Sequence, residues 1–330
     1  MNYSETNPTR TTIPSSLGEI DLRLGRSHRW GVILAGGDGT RLRVLTRRIT
    51  GDETPKQFCA LLGGESLLDQ TRRRVALGVP PERTMMVLTR THERFYSTQL
   101  MDVPKERLLV QPSNQGTAPA ILHALLSLAK EDPRGVVAFF PSDHYFSDDE
   151  SLMAHIEEAF EIAARYPERI VLLGITPTGP ETGYGWIEPG SPVPSGSRGR
   201  INRVRRFWEK PHQELAESLL ERGCLWNSFL MVGRVSAFLE MIRLALPDLY
   251  GSFSAAQEFL STGPENETLS ALYQSIRSIN FSQEVLARLP DSLAVLRVSE
   301  VGWSDWGEPE RVLSTLASLG VQTQWAVAAS

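Results

Sequence analysis

"WGVILAGGDGTRLRVLTRRITGDETPKQF", residues 30–58, begins as an apolar run, collapses into glycines and then turns basic. A short apolar run stopped by glycine reads as a buried strand, here 31–35, with the glycines at its carboxyl end. In an open parallel sheet that edge is where ligands bind. Backbone N–H groups around Gly36, Gly37 and Gly39 can form a concavity suited to an anion, and a helix starting behind them would add its positive end. Two familiar phosphate loops are excluded. No lysine follows the glycines as GxxxxGK requires, and Leu42 occupies the place of the third glycine of the dinucleotide fingerprint. The loop is then either a tight turn needing positive φ or a phosphate cradle of another kind. Lys56 in a Thr-Pro-Lys setting, with Arg41 already in the loop, offers the cationic reach that a triphosphate needs and favours the cradle.

Working outward, apolar runs at 84–89, 108–111, 136–140 and 170–175 read as further strands, and 67–77, 118–130 and 151–165 carry helical spacing between them. This alternation predicts right-handed crossovers and a doubly wound α/β unit. After residue 176 the pattern loosens into Gly/Pro/Ser-rich loops around a short strand at 185–188, with a Gly/Ser loop near 190–200. Strands at 204–208 and 225–232 follow. Helices at 236–246, around 253–261 and around 269–275, a last strand at 293–298 and a helix at 309–319 complete the expectation.

The composition is that of an ordinary globular chain: 330 residues, 41% hydrophobic and 22% charged, enough for one large core or two smaller ones. A net charge of −5 and a pI near 5.8 argue against nucleic-acid binding, which calls for a basic face. Cys59 and Cys224 sit in no metal or disulfide spacing and are expected as buried thiols. No run approaches the roughly 18 apolar residues of a membrane span, and the N-terminus lacks the apolar centre of a secretory signal. The expected location is the cytoplasm, with no nucleic-acid or membrane partner.

LAGGxGTRL followed by TPKQF resembles the sugar-phosphate nucleotidyltransferases, and in particular the mannose-1-phosphate guanylyltransferases. "QPSNQGTAPAI", "PSDHYF", "PTGPETGYGWIEPG", "FWEKP", "WNSFLMVG" and "GWSDWGEP" extend the resemblance in order. It implies a Rossmann-like, GT-A-type α/β fold over residues 29–320: a mostly parallel mixed sheet flanked by helices. A polar extension at 1–28 and a tail at 321–330, too short for a β-helix or isomerase domain, would flank it. The implied reaction is attack by mannose 1-phosphate on the α-phosphorus of GTP, with Mg²⁺, giving GDP-mannose and pyrophosphate. The implied assembly is a monomer or homodimer.

The resemblance also assigns roles. Leu34, Ala35, Gly36, Gly37, Gly39 and Thr40 would cradle the nucleotide, and Arg41 and Lys56 its phosphates. Gln111, Gly116, Thr117 and Ala118 would read the base. Asp143 and Asp305 would hold the metal ion, a duty that one or two carboxylates commonly share with phosphate oxygens and water. Lys210 would contact the sugar phosphate, and Glu209, Asn227, Gly183, Tyr184 and Gly185 the sugar. Each has a plainer reading beside this one. Asp143 can cap a helix and Asp305 a turn, Lys210 can be solvated, Asn227 can satisfy a neighbouring loop, and 183–185 can form a hairpin turn. His144 is expected as a hydrogen-bonded neighbour of the metal site, not as a base, because the attacking phosphate is already ionised. The tryptophans at 208, 226, 303 and 306 are expected as core or pocket walls, and Arg72, Arg73 and Arg74 as a solvated helix face.

Some positions depart from the family pattern. The link "TRRITGDE" is longer than usual, so Arg47 and Arg48 either add phosphate contacts or lie in solvent. Gly116 stands where asparagine is frequent, and Asn280 where aspartate is. Asn280 keeps open a nucleotide-sugar-binding paralogue without turnover. Another NTP:sugar-1-phosphate transferase is the nearer alternative, and a GT-A-like glycosyltransferase has no use for the GGDGTR and TPKQ motifs.

Overall fold

The apolar runs of the first half pair as parallel strands in the computed structural model, which describes residues 26–193, 201–260 and 266–321. Strands β1 (Arg29–Leu34), β2 (Thr84–Thr89), β3 (Leu108–Gln111) and β4 (Val136–Pro141) form the run β3-β2-β1-β4. Beyond it lie β5 (Ile170–Ile175), β6 (Gly185–Pro192), β7 (Ile201–Glu209), β8 (Leu225–Arg234) and β9 (Leu293–Val298). The full order of the nine strands is β3-β2-β1-β4-β8-β5-β9-β7-β6. Only β7 and β8 run against the other seven, so the sheet is mixed with a mostly parallel sense, as expected. β8 lies antiparallel between β4 and β5, and its first residues also pair with β6.

Successive side chains of a strand point to opposite faces, and the core divides accordingly. Val32, Phe139 and Leu172 belong to one apolar cluster, while their neighbours Ile33, Phe140 and Leu173 belong to the other. Among the described residues, the α-helices of eight residues or more are, in chain order, α1 (Arg43–Thr50), α2 (Leu67–Ala76), α3 (Thr117–Glu131), α4 (Asp149–Arg165), α5 (Gln213–Glu221), α6 (Val235–Ala245), α7 (Pro247–Ala255), α8 (Glu267–Ser275) and α9 (Pro309–Ser318). α3, α6, α7 and α8 cover the first face through Ile121, Phe238, Phe253 and Tyr273. α2, α4 and α5 cover the second through Val75, Phe160 and Leu219. A third cluster, with Leu42, Leu45, Trp306 and Leu316, packs α1 against α9 and so joins the early loop to the end of the fold.

Two expectations change. The helix placed around 253–261 starts earlier, at Pro247, where proline fits the first helical turn; residue 261 lies outside the described residues. Arg74 is not solvated: its guanidinium is buried against Asp149 and over the ring of Phe146, whereas Arg73 of the same helix is exposed. A π-helical turn at Ser282–Leu286 had no separate signal. Both cysteines are buried and free. Residues 1–25 of the expected extension, 194–200 of the Gly/Ser loop and 322–330 of the tail lie outside the described residues.

Candidate functional site

The glycine loop leaves β1 between β2 and β4 and is held from beneath. Gln57 Nε2 donates to Ala35 O (2.9 Å) and Gly37 O (2.7 Å), Thr89 Oγ1 donates to Gly36 O (3.0 Å), and Ser142 Oγ donates to Leu34 O (2.8 Å). A methyl group on Gly36 would stand 2.8 Å from Thr89 Oγ1 and 2.9 Å from Gln111 Nε2, so only glycine lets the loop lie this close. Gly39 takes φ 57 with its backbone against Lys56 N, and Thr40–Leu42 turns from there into α1. Gly37, by contrast, faces open space. A cavity of about 330 Å³ opens there, lined by Leu34, Gly36, Gly37, Gln111, Gly116 and Thr117 together with Asn114, Asp143, His144 and Phe229. Gly116 (φ 85) packs on Ile279 O, and Ala118 N donates to that carbonyl (3.0 Å). Thr117 Oγ1 accepts from Phe281 N (2.8 Å).

Lys56 stands differently from the free cation expected of it. It is buried, and Nζ donates to Asp305 O (2.6 Å) and Trp306 O (3.0 Å) while pairing with Asp143 Oδ2 (3.1 Å). It therefore ties three motifs together instead of projecting into solvent. Arg41 is exposed and pairs with Glu308 Oε1 (2.8 Å) beside Gly307. Arg47 pairs with Glu53 at the surface.

The two candidate metal carboxylates, one mid-chain and one near its end, are brought near each other by a short antiparallel bridge, Tyr145 against Ser304. Asp143 follows β4, with its side chain 37% exposed. Burial works to raise its carboxyl pKa, but Lys56 and His144 outweigh it and hold it below the ordinary carboxylate range. Asp305 is more enclosed, and its Oδ1 accepts from Gly307 N (2.8 Å), Arg311 Nη1 (2.8 Å) and Tyr184 OH (3.2 Å). Burial again raises it, and His144, the Gly307 amide and Arg311 bring it below the usual range. His144 Nδ1 accepts from Trp303 Nε1 (3.2 Å), and burial holds the imidazole below its ordinary pKa. Nε2 then carries the proton and lies 3.8 Å from Asp143 Oδ1. Among the described residues no group of three or more His, Cys, Asp or Glu side chains is arranged to hold a metal ion.

On the other side, β6 begins at the expected sugar strap. A methyl on Gly185 would stand 3.0 Å from Glu209 Oε2 and 3.2 Å from Asn227 Cβ, so these three residues share one corner; one on Gly183 would stand 3.3 Å from Arg311 Nη2. Burial raises the Glu209 carboxyl pKa against the pull of Lys210 and Asn280. Asn280 Nδ2 donates to Glu209 Oε1 (3.4 Å), so the asparagine puts a donor where an aspartate would put a like charge. Lys210 is exposed, at φ 48, and its N–H donates to Tyr184 O (3.2 Å). Asn227 is buried and its Oδ1 accepts from Phe229 N (3.2 Å), which leaves the amide nitrogen as the end to offer a ligand. Tyr184, Trp226 and Trp303 wall this corner, and the indole N–H of Trp226 is buried without a partner among the described residues. Gln57, Arg311 and Phe229 were not singled out from sequence. Gln57 at least had a signal, since it follows Lys56 within one motif.

Residues 30–317 match the family described as nucleotidyl transferase. The alginate biosynthesis protein AlgA of Pseudomonas syringae pv. tomato is 30% identical over 284 residues, 84% of this chain and 56% of that protein. The xanthan biosynthesis protein XanB of Xanthomonas campestris pv. campestris is 32% identical over 283 residues, 84% of this chain and 57% of its own. The mannose-1-phosphate guanylyltransferase of Escherichia coli K12 is 28% identical over 301 residues, covering 86% and 59%. The chain thus spans little more than half the length of these relatives. Among solved structures, one from Thermus thermophilus described as a mannose-1-phosphate geranyltransferase superposes with a TM-score of 0.73 at 30% identity, covering 87% of this chain and 79% of that one. With the glycine loop, Asp143, Asp305 and the 183–185 turn gathered around one cleft, the chain belongs to the nucleotidyl transferase family.

Proposed function

We propose that this protein transfers GMP from GTP to mannose 1-phosphate, releasing pyrophosphate and forming GDP-mannose. The observation that carries the reading is the cavity of about 330 Å³ that opens between the glycine loop and the Asp143 carboxylate, with the Glu209, Asn227 and Gly185 corner fed by the next strands. The glycine-loop amides and Arg41 would receive the triphosphate, Gln111 and the 116–118 segment the base, and Lys210 and Glu209 the sugar phosphate and its hydroxyls. A phosphate oxygen of mannose 1-phosphate attacks the α-phosphorus of GTP; the new P–O bond forms as the bond to the pyrophosphate oxygen breaks, and the electron pair leaves on pyrophosphate. The attacking oxygen is already ionised, so no side chain need accept a proton, consistent with a neutral His144.

Asp143 and Asp305 fit Mg²⁺ by donor chemistry. Both are hard oxygen donors held ionised; Asp305 Oδ2 lies outside the ion pairs and hydrogen bonds formed among the described residues, and Asp143 Oδ1 faces His144 Nε2 only at 3.8 Å. When bound, the ion would neutralise phosphate charge and orient the reactants. Lys56 and Arg311 already neutralise part of this carboxylate charge, which favours a second reading: a nucleotide-sugar-binding protein without turnover. Purified protein with Mg²⁺, assayed for pyrophosphate over a panel of nucleoside triphosphates and sugar 1-phosphates, tests both. Release confined to GTP with mannose 1-phosphate supports transfer, release with another pair moves the specificity, and binding of GDP-mannose with no release in any pair supports the second reading.

A further inference from the structure

Among the described residues, four non-glycine residues hold positive φ, and three of them, Lys210, Phe229 and Trp306, belong to the motifs of the site. Phe229 differs from the other two in lying inside a strand, β8, at φ 61. A side chain with a Cβ adopts this conformation at a cost of about tenfold in equilibrium, and glycine adopts it freely. The neighbours hold it in place. Asn227 Oδ1 accepts from Phe229 N (3.2 Å), Ser228 Oγ accepts from Leu230 N (3.3 Å) and donates to Leu173 O (2.6 Å), and the ladder to β5 shifts register between the pairs Leu172–Met231 and Gly174–Asn227. Strain held this firmly at a cleft marks a position where placement matters more than ease of folding.

The placement is specific. Phe229 is half-buried, and it lines the cavity with Leu34, Val87 and Ala120, in the same space that Gln111 and Thr117 border. The aliphatic side of that cavity offers no flat surface of its own, and an aromatic ring supplies one on which a heteroaromatic base can stack or pack edge to face.

We propose that Phe229 is a specificity-determining residue: its ring is the wall against which the base of the nucleoside triphosphate packs. The proposal rests on the reading of this cavity as the nucleotide pocket. It is tested by titrating the full chain with GTP in the presence of Mg²⁺, and separately with mannose 1-phosphate, in wild type and in Phe229→Gly, Phe229→Ala and Phe229→Tyr, with urea unfolding alongside. Phe229→Ala and Phe229→Gly should weaken GTP about ten- to a hundredfold, the range of aromatic contacts to a base, while mannose 1-phosphate shifts by less than about threefold. Phe229→Tyr should keep GTP affinity. In unfolding, Phe229→Gly should exceed Phe229→Ala by about tenfold in the equilibrium constant, because only glycine relieves the left-handed backbone. Unchanged GTP affinity in the Ala and Gly variants, or equal loss for both ligands, overturns the proposal while leaving the nucleotide pocket in place. A wild-type protein that binds no nucleoside triphosphate removes the pocket reading and this proposal together.

Discussion

Lys56 and Gln57 stand side by side and brace two different parts of the cleft. Gln57 holds the glycine loop through the carbonyls of Ala35 and Gly37, and Lys56 holds the loop carrying Asp305 while pairing with Asp143. Gln57→Leu leaves two carbonyls short of a donor, so stability should fall by about 2–3 kcal/mol in urea unfolding. Nucleotide KM should rise with it, because the cradle loses its floor; an unchanged KM would show that the loop keeps its shape unaided. Asp143→Asn separates structure from chemistry. Lys56 keeps its bonds to Asp305 O and Trp306 O but loses its carboxylate partner while buried, so the chain should still fold cooperatively with stability reduced by less than the roughly 3–5 kcal/mol that breaking a fully buried pair costs, because Asp143 is partly exposed. Pyrophosphate release should nonetheless drop on the order of a hundredfold or more, as when a charge-stabilising group is removed from a reacting centre. Release at the wild-type rate would take Asp143 out of that centre.

At the scale of elements, helix starts are set by local chemistry that is independent of the cleft. Ser66 caps α2 by accepting from Asp69 N, and Asp148 caps α4 by accepting from Ser151 N. Ser66→Ala should cost about 1 kcal/mol in unfolding and leave turnover unchanged; a loss of turnover would mean that α2 positions the site. The same locality explains what could be read in advance. The strand runs 84–89, 108–111, 170–175 and 293–298 are apolar and sharply bounded, and they coincide with β2, β3, β5 and β9. α1 escaped because its stripe is short: Leu45 and Ile49 continue from Leu42 into the third cluster, but over only eight residues, three of them arginine, and with Val44 left exposed. The site was legible as a set of motifs but not as a geometry. Lys56 meets the Asp305 carbonyl across 249 residues, and Arg311 reaches Asp305 from a helix whose own pattern points to packing alone. Cross-links of that range depend on the completed sheet order, which no local spacing encodes. Phe229 lay inside a quoted motif, yet its left-handed backbone arises from a slipped ladder to β5, again a property of the assembled sheet.

For the molecule as a whole, the helices over the first face are joined to the Gln111 wall of the cavity through one buried histidine. His123 on α3 is 1% exposed, with Nε2 2.8 Å from Leu260 O and Nδ1 2.9 Å from Tyr273 OH. A carbonyl only accepts, so Nε2 carries the proton of the neutral ring and Nδ1 accepts from the tyrosine. Tyr273 OH also lies 3.4 Å from Gln111 Oε1, at the wall of the cavity. Burial lowers the imidazole pKa from 6.5 to about 4, and the hydrogen bond to Leu260 O only partly opposes it. The consequence for stability has a definite sign. Below pH about 6.5 the unfolded chain takes up a proton that the folded chain refuses, so stability is complete above that value and is lost as the pH falls toward 4. By pH 5 this one group should remove about 2 kcal/mol. His92 and His144 are lowered by burial too and act in the same direction, so the slope of wild type alone does not isolate His123. Comparison with His123→Gln does, because glutamine can still donate to Leu260 O and accept from Tyr273 but has no proton to gain. Urea unfolding at pH 7.5 and pH 5 should show the variant losing about 2 kcal/mol less than wild type over that interval, and equal losses in the two proteins would place the acid sensitivity elsewhere.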